Sequence, residues 1–244
     1  MPDSQNNKQA LVIGGAGGIG HACVQYLEQQ TNIATVTVIS RNSINSTCSK
    51  TTGIQVQQQN EDSIRQVCQQ FPDKHFDLVI CTLGLLHDFE TGLSPEKKLE
   101  DINEQAMLRY FQVNCILPGL WLSALVNKMN PKDSQMVFLS ARVASIADNR
   151  LGGWYGYRSS KAALNMLLKT AQVEYQRRAP GCQLIAYHPG TVNTALSKPF
   201  QRNVKPDKLF SPEFTVQCLF KVLANLPDKP PPFYLDWQNQ GISW

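Results

Sequence analysis

Tyr157 and Lys161 stand four residues apart, the spacing that stacks two side chains on one face of a helix. A phenol and an ammonium so placed suit proton transfer at an oxygen atom. Reducing a carbonyl needs such a pair, because hydride delivered to carbon leaves an alkoxide that must be protonated near neutral pH. A free phenol, with a pKa of about 10, is a sluggish base in the reverse direction. An ammonium ~4 Å away, at an effective dielectric near ~20, is worth ~4 kcal/mol, or about three pKa units. On this reading Tyr157 exchanges the proton and Lys161 lowers the phenol's pKa.

Far upstream, Gly14-Gly15-Ala16-Gly17-Gly18-Ile19-Gly20 follows the apolar run 10–13. The cluster satisfies two templates, Gly15-x-Gly17-x-x-Gly20 and Gly14-x-x-x-Gly18-x-Gly20. Either way, missing side chains let the backbone approach a pyrophosphate while the following helix N-terminus attracts its charge. Dinucleotide sites specific for NAD carry an acidic residue at the end of the second strand. Here that place reads Ser40-Arg41-Asn42. A carboxylate repels a 2′-phosphate and a guanidinium pairs with it bidentately, so Arg41 points to NADP(H).

Elements must bring these two ends together. Apolar runs predict strands over 10–13, 34–39, 54–56, 76–82, 135–139 and 183–187, with a weaker one over 232–235. Helix-length segments cover 18–30, 61–71, 103–129, 155–178 and 212–225. Strand and helix alternate, which implies an α/β chain: a single-domain, Rossmann-type, doubly wound parallel sheet with helices on both faces. It has seven strands if 232–235 completes the edge, and one domain spans 1–244. Leu164, Leu167, Leu168 and Ala171 continue the Tyr157 helix at core-facing spacing, which leaves its first turn at the strand ends, where open sheets bind ligands.

Composition narrows the class. Charged residues make up 17% and apolar residues 42%, ordinary values for a folded protein rather than a disordered one. A net charge of +4 with scattered basic residues shows no nucleic-acid footprint. Seven cysteines, odd in number and without CxxC spacing, fit a reducing compartment with neither disulfides nor a metal site. The polar start, 1–9, has no apolar leader segment, so a cytoplasmic location is expected. The uncharged stretch 110–127 contains Gln112, Asn114, Pro118 and Gly119 and reads as a buried helix rather than a membrane span.

Taken together, these motifs resemble the short-chain dehydrogenase/reductase family over nearly the whole chain. Its glycine pattern is met by Gly14, Gly18 and Gly20, its Tyr-x-x-x-Lys by Tyr157 and Lys161, its helix Asn by Asn114, and its Pro-Gly by Pro189-Gly190. Within the family, 140–143, 151–155, 157–166 and 188–200 resemble the C-factor branch and sniffer-type carbonyl reductases. The resemblance implies that Gly14, Gly18, Ile19, Gly20, Arg41, Gly84, Asn114, Tyr157, Lys161, Pro189, Gly190, Val192 and Thr194 contact the cofactor. It also implies that Lys161 holds the nicotinamide ribose and that Asn114 anchors a water linking Lys161 to solvent. The expected substrate is a small carbonyl or alcohol. The expected assembly is a homodimer or homotetramer paired through 103–129 and 155–178.

Two places depart from the family. The position of its carbonyl-polarising serine holds Ala141, with Ser140 one residue early and Ser145 four residues on. One step along an extended strand turns a side chain to the opposite face, so Ser145, which keeps the parity of 141, is preferred and Ser140 is its rival. The family's Asn-Asn-Ala-Gly appears as Cys81-Thr82-Leu83-Gly84, keeping only the glycine. These changes motivate an alternative: an NADP-binding signalling or regulatory protein of C-factor type with little or no catalysis. His87, Asp88 and His188 receive no catalytic role, and Lys198, Arg202 and Lys205 read as solvated loop charges.

Overall fold

The computed structural model describes residues 7–44 and 46–244, and in it all seven apolar runs become strands of one parallel sheet. Most of the polar start lies outside the described residues. In chain order the elements are β1 (Lys8–Ile13), α1 (Gly18–Glu28), β2 (Ile33–Ser40), β3 (Thr51–Gln55), α2 (Glu61–Gln69), β4 (Leu78–Cys81), α3 (Glu104–Phe111) and α4 (Leu117–Leu125). They continue with β5 (Ser134–Leu139), α5 (Tyr155–Arg178), β6 (Cys182–His188), β7 (Thr191–Val192), β8 (Leu209–Phe210), α6 (Pro212–Ala224) and β9 (Phe233–Asp236). The main sheet runs β3-β2-β1-β4-β5-β6-β9. The chain winds outward from β1 in one direction and from β4 in the other, so a crevice opens beyond the carboxyl ends of these two strands.

Alternation along each strand divides the core. Leu11 and Ile13 pack with Ile64 of α2, Trp121 of α4 and Leu164 of α5, whereas Ala10 and Val12 pack with Leu27 of α1 and Leu219 of α6. Burying both faces is what a parallel sheet of Val, Ile and Leu requires. Leu164 and Leu168 seat α5 as expected; Leu167, 39% exposed, lies on the flank instead.

Two expectations need correction, and one small sheet was not expected. The third strand covers Thr51–Gln55 rather than 54–56, because its ladder partners Val36 through Ser40 carry the pairing earlier than its one strongly apolar residue suggests. The helix over 103–129 is interrupted: α3 and α4 are joined by a wide π turn, Gln112–Ile116, and the segment ends in a 3₁₀ turn, Val126–Lys128. Pro118 has no N–H and so removes the i→i−4 donor that would have served the Asn114 carbonyl. The sequence pattern also missed the two-stranded parallel sheet formed by β7 and β8, whose pairs are Thr191 with Leu209 and Val192 with Phe210. Among the described residues no helix is long and apolar enough to cross a membrane. Among them, too, no group of three His, Cys, Asp or Glu side chains could hold a metal ion.

Candidate active site

At the end of β1 the chain turns through Gly14 at φ +86, and α1 starts four residues later with no side-chain cap. Its first N–H groups and positive helix end therefore face the crevice. A Cβ on Gly20 would run into the Gly14 carbonyl and stand 2.9 Å from Gly15 Cα, so only glycine closes this turn. Thr82, from the altered segment after β4, ties the turn down: its hydroxyl donates to the carbonyls of Ile13 (3.0 Å) and Gly14 (3.1 Å). No motif had marked Thr82.

Two confluent hollows occupy the crevice and share Gly17, Arg41, Thr82, Leu83, Gly84 and Leu85. The first, about 540 Å³, extends from Gly14 to Arg41 and the Gln57–Gln59 segment. Arg109, unmarked by any motif, lines it as well. The second, about 420 Å³, is lined by Gly18, Ile19 and Gly20 on one side and by Ser140, Tyr157, Lys161, Pro189 and Thr194 on the other. One groove thus runs from Arg41 to Tyr157.

Lys161 is 2% exposed; its ammonium donates to the carbonyls of Leu139 (2.8 Å) and Leu83 (3.4 Å). Burial pulls its pKa down to about 8, with Cys81 and Cys115 opposing. Tyr157 lines the groove with its ring packed among Leu86, Tyr110 and Ala141. Burial holds its phenol above the ordinary value of 10.0, and the nearby Tyr234 phenol adds to the effect. The charge argument alone anticipated a lowered phenol. Desolvation wins here, and the Lys161 ammonium is shared between two carbonyls.

Asn114 is fully buried in the π turn. Its Oδ1 accepts from the Leu85 N–H at 2.7 Å, and its Nδ2 donates to the Leu85 carbonyl at 2.9 Å and to Ser160 Oγ at 3.1 Å. The side-chain amide is therefore committed to Leu85 and Ser160. Ser160, another residue the motifs missed, donates in turn to the Tyr157 carbonyl at 2.9 Å and so joins the π turn to α5. Gly84 faces both: a Cβ there would stand 3.6 Å from Lys161 Nζ and 3.9 Å from Asn114 Oδ1.

Not every other candidate lines the groove. Ser145 lines a separate hollow of about 250 Å³ with Ser159 and Arg158, and its Oγ accepts from the Asp148 N–H at 3.0 Å. Its parity with 141 is lost because Arg142–Ala144 form a 3₁₀ turn instead of extended strand. Ser140 lines the groove, yet its hydroxyl donates to Asn165 Oδ1 at 2.7 Å, toward α5. Ala141 itself packs beside Tyr157. Gly190 turns at φ +76 against the Phe210 ring, and Val192 is buried in β7; neither lines either hollow, whereas Pro189 and Thr194 do.

The family model for short chain dehydrogenase matches residues 8–205. The C-signal protein of Myxococcus xanthus is 29% identical over 147 residues, 60% of this chain and 83% of that protein. The NADPH-bound carbonyl reductase from chicken fatty liver superposes with a TM-score of 0.80 at 22% identity, covering 97% of this chain and 99% of that one. Carbonyl reductase Sniffer of D. melanogaster gives a TM-score of 0.80 at 17% identity, covering 98% and 99%. At these identities the structural likeness speaks to the fold.

Proposed function

The chain belongs to the short chain dehydrogenase family of oxidoreductases, and from that premise we propose that it reduces a carbonyl substrate with NADPH, Tyr157 being the proton donor. The observation that carries the proposal is the single groove lined by the glycine turn, Arg41, Lys161 and Tyr157. The glycine turn and the first N–H groups of α1 would hold the pyrophosphate, Arg41 the 2′-phosphate, and Lys161 the nicotinamide ribose, with Pro189 and Thr194 along the ring. Bound there, NADPH supplies hydride to the carbonyl carbon.

The chain's own residues do the rest. A phenol held high by burial stays protonated at neutral pH, so Tyr157 is ready to give its proton to the oxygen as charge develops on it. Lys161 presents positive charge near that oxygen while anchored to Leu139 and Leu83. Asn114 and Ser160 lock α3–α4 to the first turn of α5. With Ala141 in place of the polarising serine, one hydroxyl donor is missing, which slows the reaction without removing the proton donor.

The likeness to an NADPH-bound carbonyl reductase supports the cofactor choice. The likeness to C-signal, together with Ala141, favours a second reading in which the chain binds NADP(H) for signalling with weak turnover. Exposed Leu108, Met166, Leu167 and Val173 on α3 and α5 support pairing of two copies through these helices. The test is fluorescence titration with NADPH and NADH, followed by NADPH consumption against aldehydes, ketones and quinones. Tighter NADPH binding and turnover of at least one class is expected. Equal affinity for both nucleotides removes the Arg41 assignment, and binding without any turnover favours the signalling reading.

A further inference from the structure

Glu96 is 3% exposed, yet among the described residues no Lys, Arg or His pairs with it. Its carboxylate instead faces the start of α5: Oε2 accepts from the Gly156 N–H at 3.1 Å, its main-chain carbonyl accepts from the Trp154 N–H at 2.6 Å, and Oε1 has no partner. That helix start lacks local support. Gly152, Gly153 and Trp154 all have positive φ, Trp154 at +53 makes no side-chain cap, and the first turn has no acidic residue. An aromatic residue in the left-handed region is strained and must be held by its surroundings. Glu96 supplies the missing acceptor and the negative charge that a helix N-terminus favours, from sixty residues earlier in the chain.

Gly156 makes the contact possible. A Cβ there would strike the Tyr110 ring and stand 2.8 Å from Glu96 Oε1, so glycine lets both close on the turn that carries Tyr157. Tyr110, fixed by its hydroxyl on the Leu86 carbonyl at 2.9 Å, then stands edge-on to the Tyr157 ring with centroids 6.5 Å apart. Trp154 stands edge-on from another side at 6.1 Å.

We propose that Glu96 is a positioning residue for Tyr157: capping α5 from across the fold, it holds the left-handed entry and the two aromatic walls that aim the phenol. The inference rests on Tyr157 being the proton donor. Glu96→Ala removes the acceptor, Glu96→Asp shortens it, and Glu96→Gln keeps an oxygen within reach of Gly156. In steady-state kinetics Glu96→Ala is expected to lower kcat by about 100-fold with the NADPH Kd changed less than about twofold, and Glu96→Gln to recover most of the loss. If Glu96→Ala does not fold, Glu96→Asp decides by the same split between kcat and Kd. Unchanged kcat, or kcat and NADPH affinity falling together, overturns the positioning role. Tyr157→Phe is assayed in parallel. Full turnover in that variant sinks the catalytic reading itself, whereas an inactive Tyr157→Phe beside a fully active Glu96→Ala sinks only the role of Glu96.

Discussion

At Tyr157 burial raises the phenol's pKa and the neighbouring Tyr234 phenol adds to the rise, leaving a protonated phenol beside Ala141. Ala141→Ser would put a hydroxyl next to that phenol without adding much volume. If Ala141 occupies the place of the missing donor, kcat for reduction should rise, by an amount bounded by about 3 kcal/mol of barrier, or about 100-fold. An unchanged kcat in a folded variant would show that the side chain at 141 does not reach the reacting oxygen. Tyr157, Lys161 and the glycines were legible in the sequence because each obeys a spacing rule of a helix or a tight turn. The serine was not. Counting parity from 141 to 145 assumes extended backbone, and the 3₁₀ turn at Arg142–Ala144 resets it.

Among the elements, the π turn between α3 and α4 does the most to shape the groove. Its Asn114 serves both backbone groups of Leu85 and also Ser160, so Asn114→Ala strands buried polar partners. Urea unfolding should show a loss of about 2–4 kcal/mol, larger than a surface substitution gives; a loss below about 0.5 kcal/mol would mean the links are dispensable. The sequence held a signal for this turn in Pro118, whose missing N–H forbids a regular helix through 114–118, but apolar periodicity alone reads the segment as one helix. No local pattern announces the β7–β8 pair or the Thr82 bridge, because each depends on contact between distant segments.

For the molecule as a whole, the doubly wound sheet was readable from seven apolar runs, since a parallel sheet buried on both faces leaves near-continuous apolar strands. The sheet also holds His188 half-buried at the end of β6, where desolvation lowers its pKa from 6.5 to about 4, with Asp236 partly opposing and Arg142 adding to the shift. Between those values the unfolded chain binds a proton that the folded chain does not. Stability from this group is therefore complete above its ordinary value of 6.5 and is lost as pH falls toward about 4. The full loss amounts to about 3 kcal/mol. His188→Gln should flatten that slope in urea titrations run across the acid range; a slope equal to wild type would place the acid sensitivity elsewhere. The central claim joins this frame to one reaction: the groove that binds NADPH ends at a phenol that donates the proton. Turnover of an accepted carbonyl by Tyr157→Phe, with NADPH affinity measured on the same sample, tests it most directly. A fall in kcat of about 1000-fold with unaltered NADPH binding is the predicted result; wild-type turnover in that variant would contradict it.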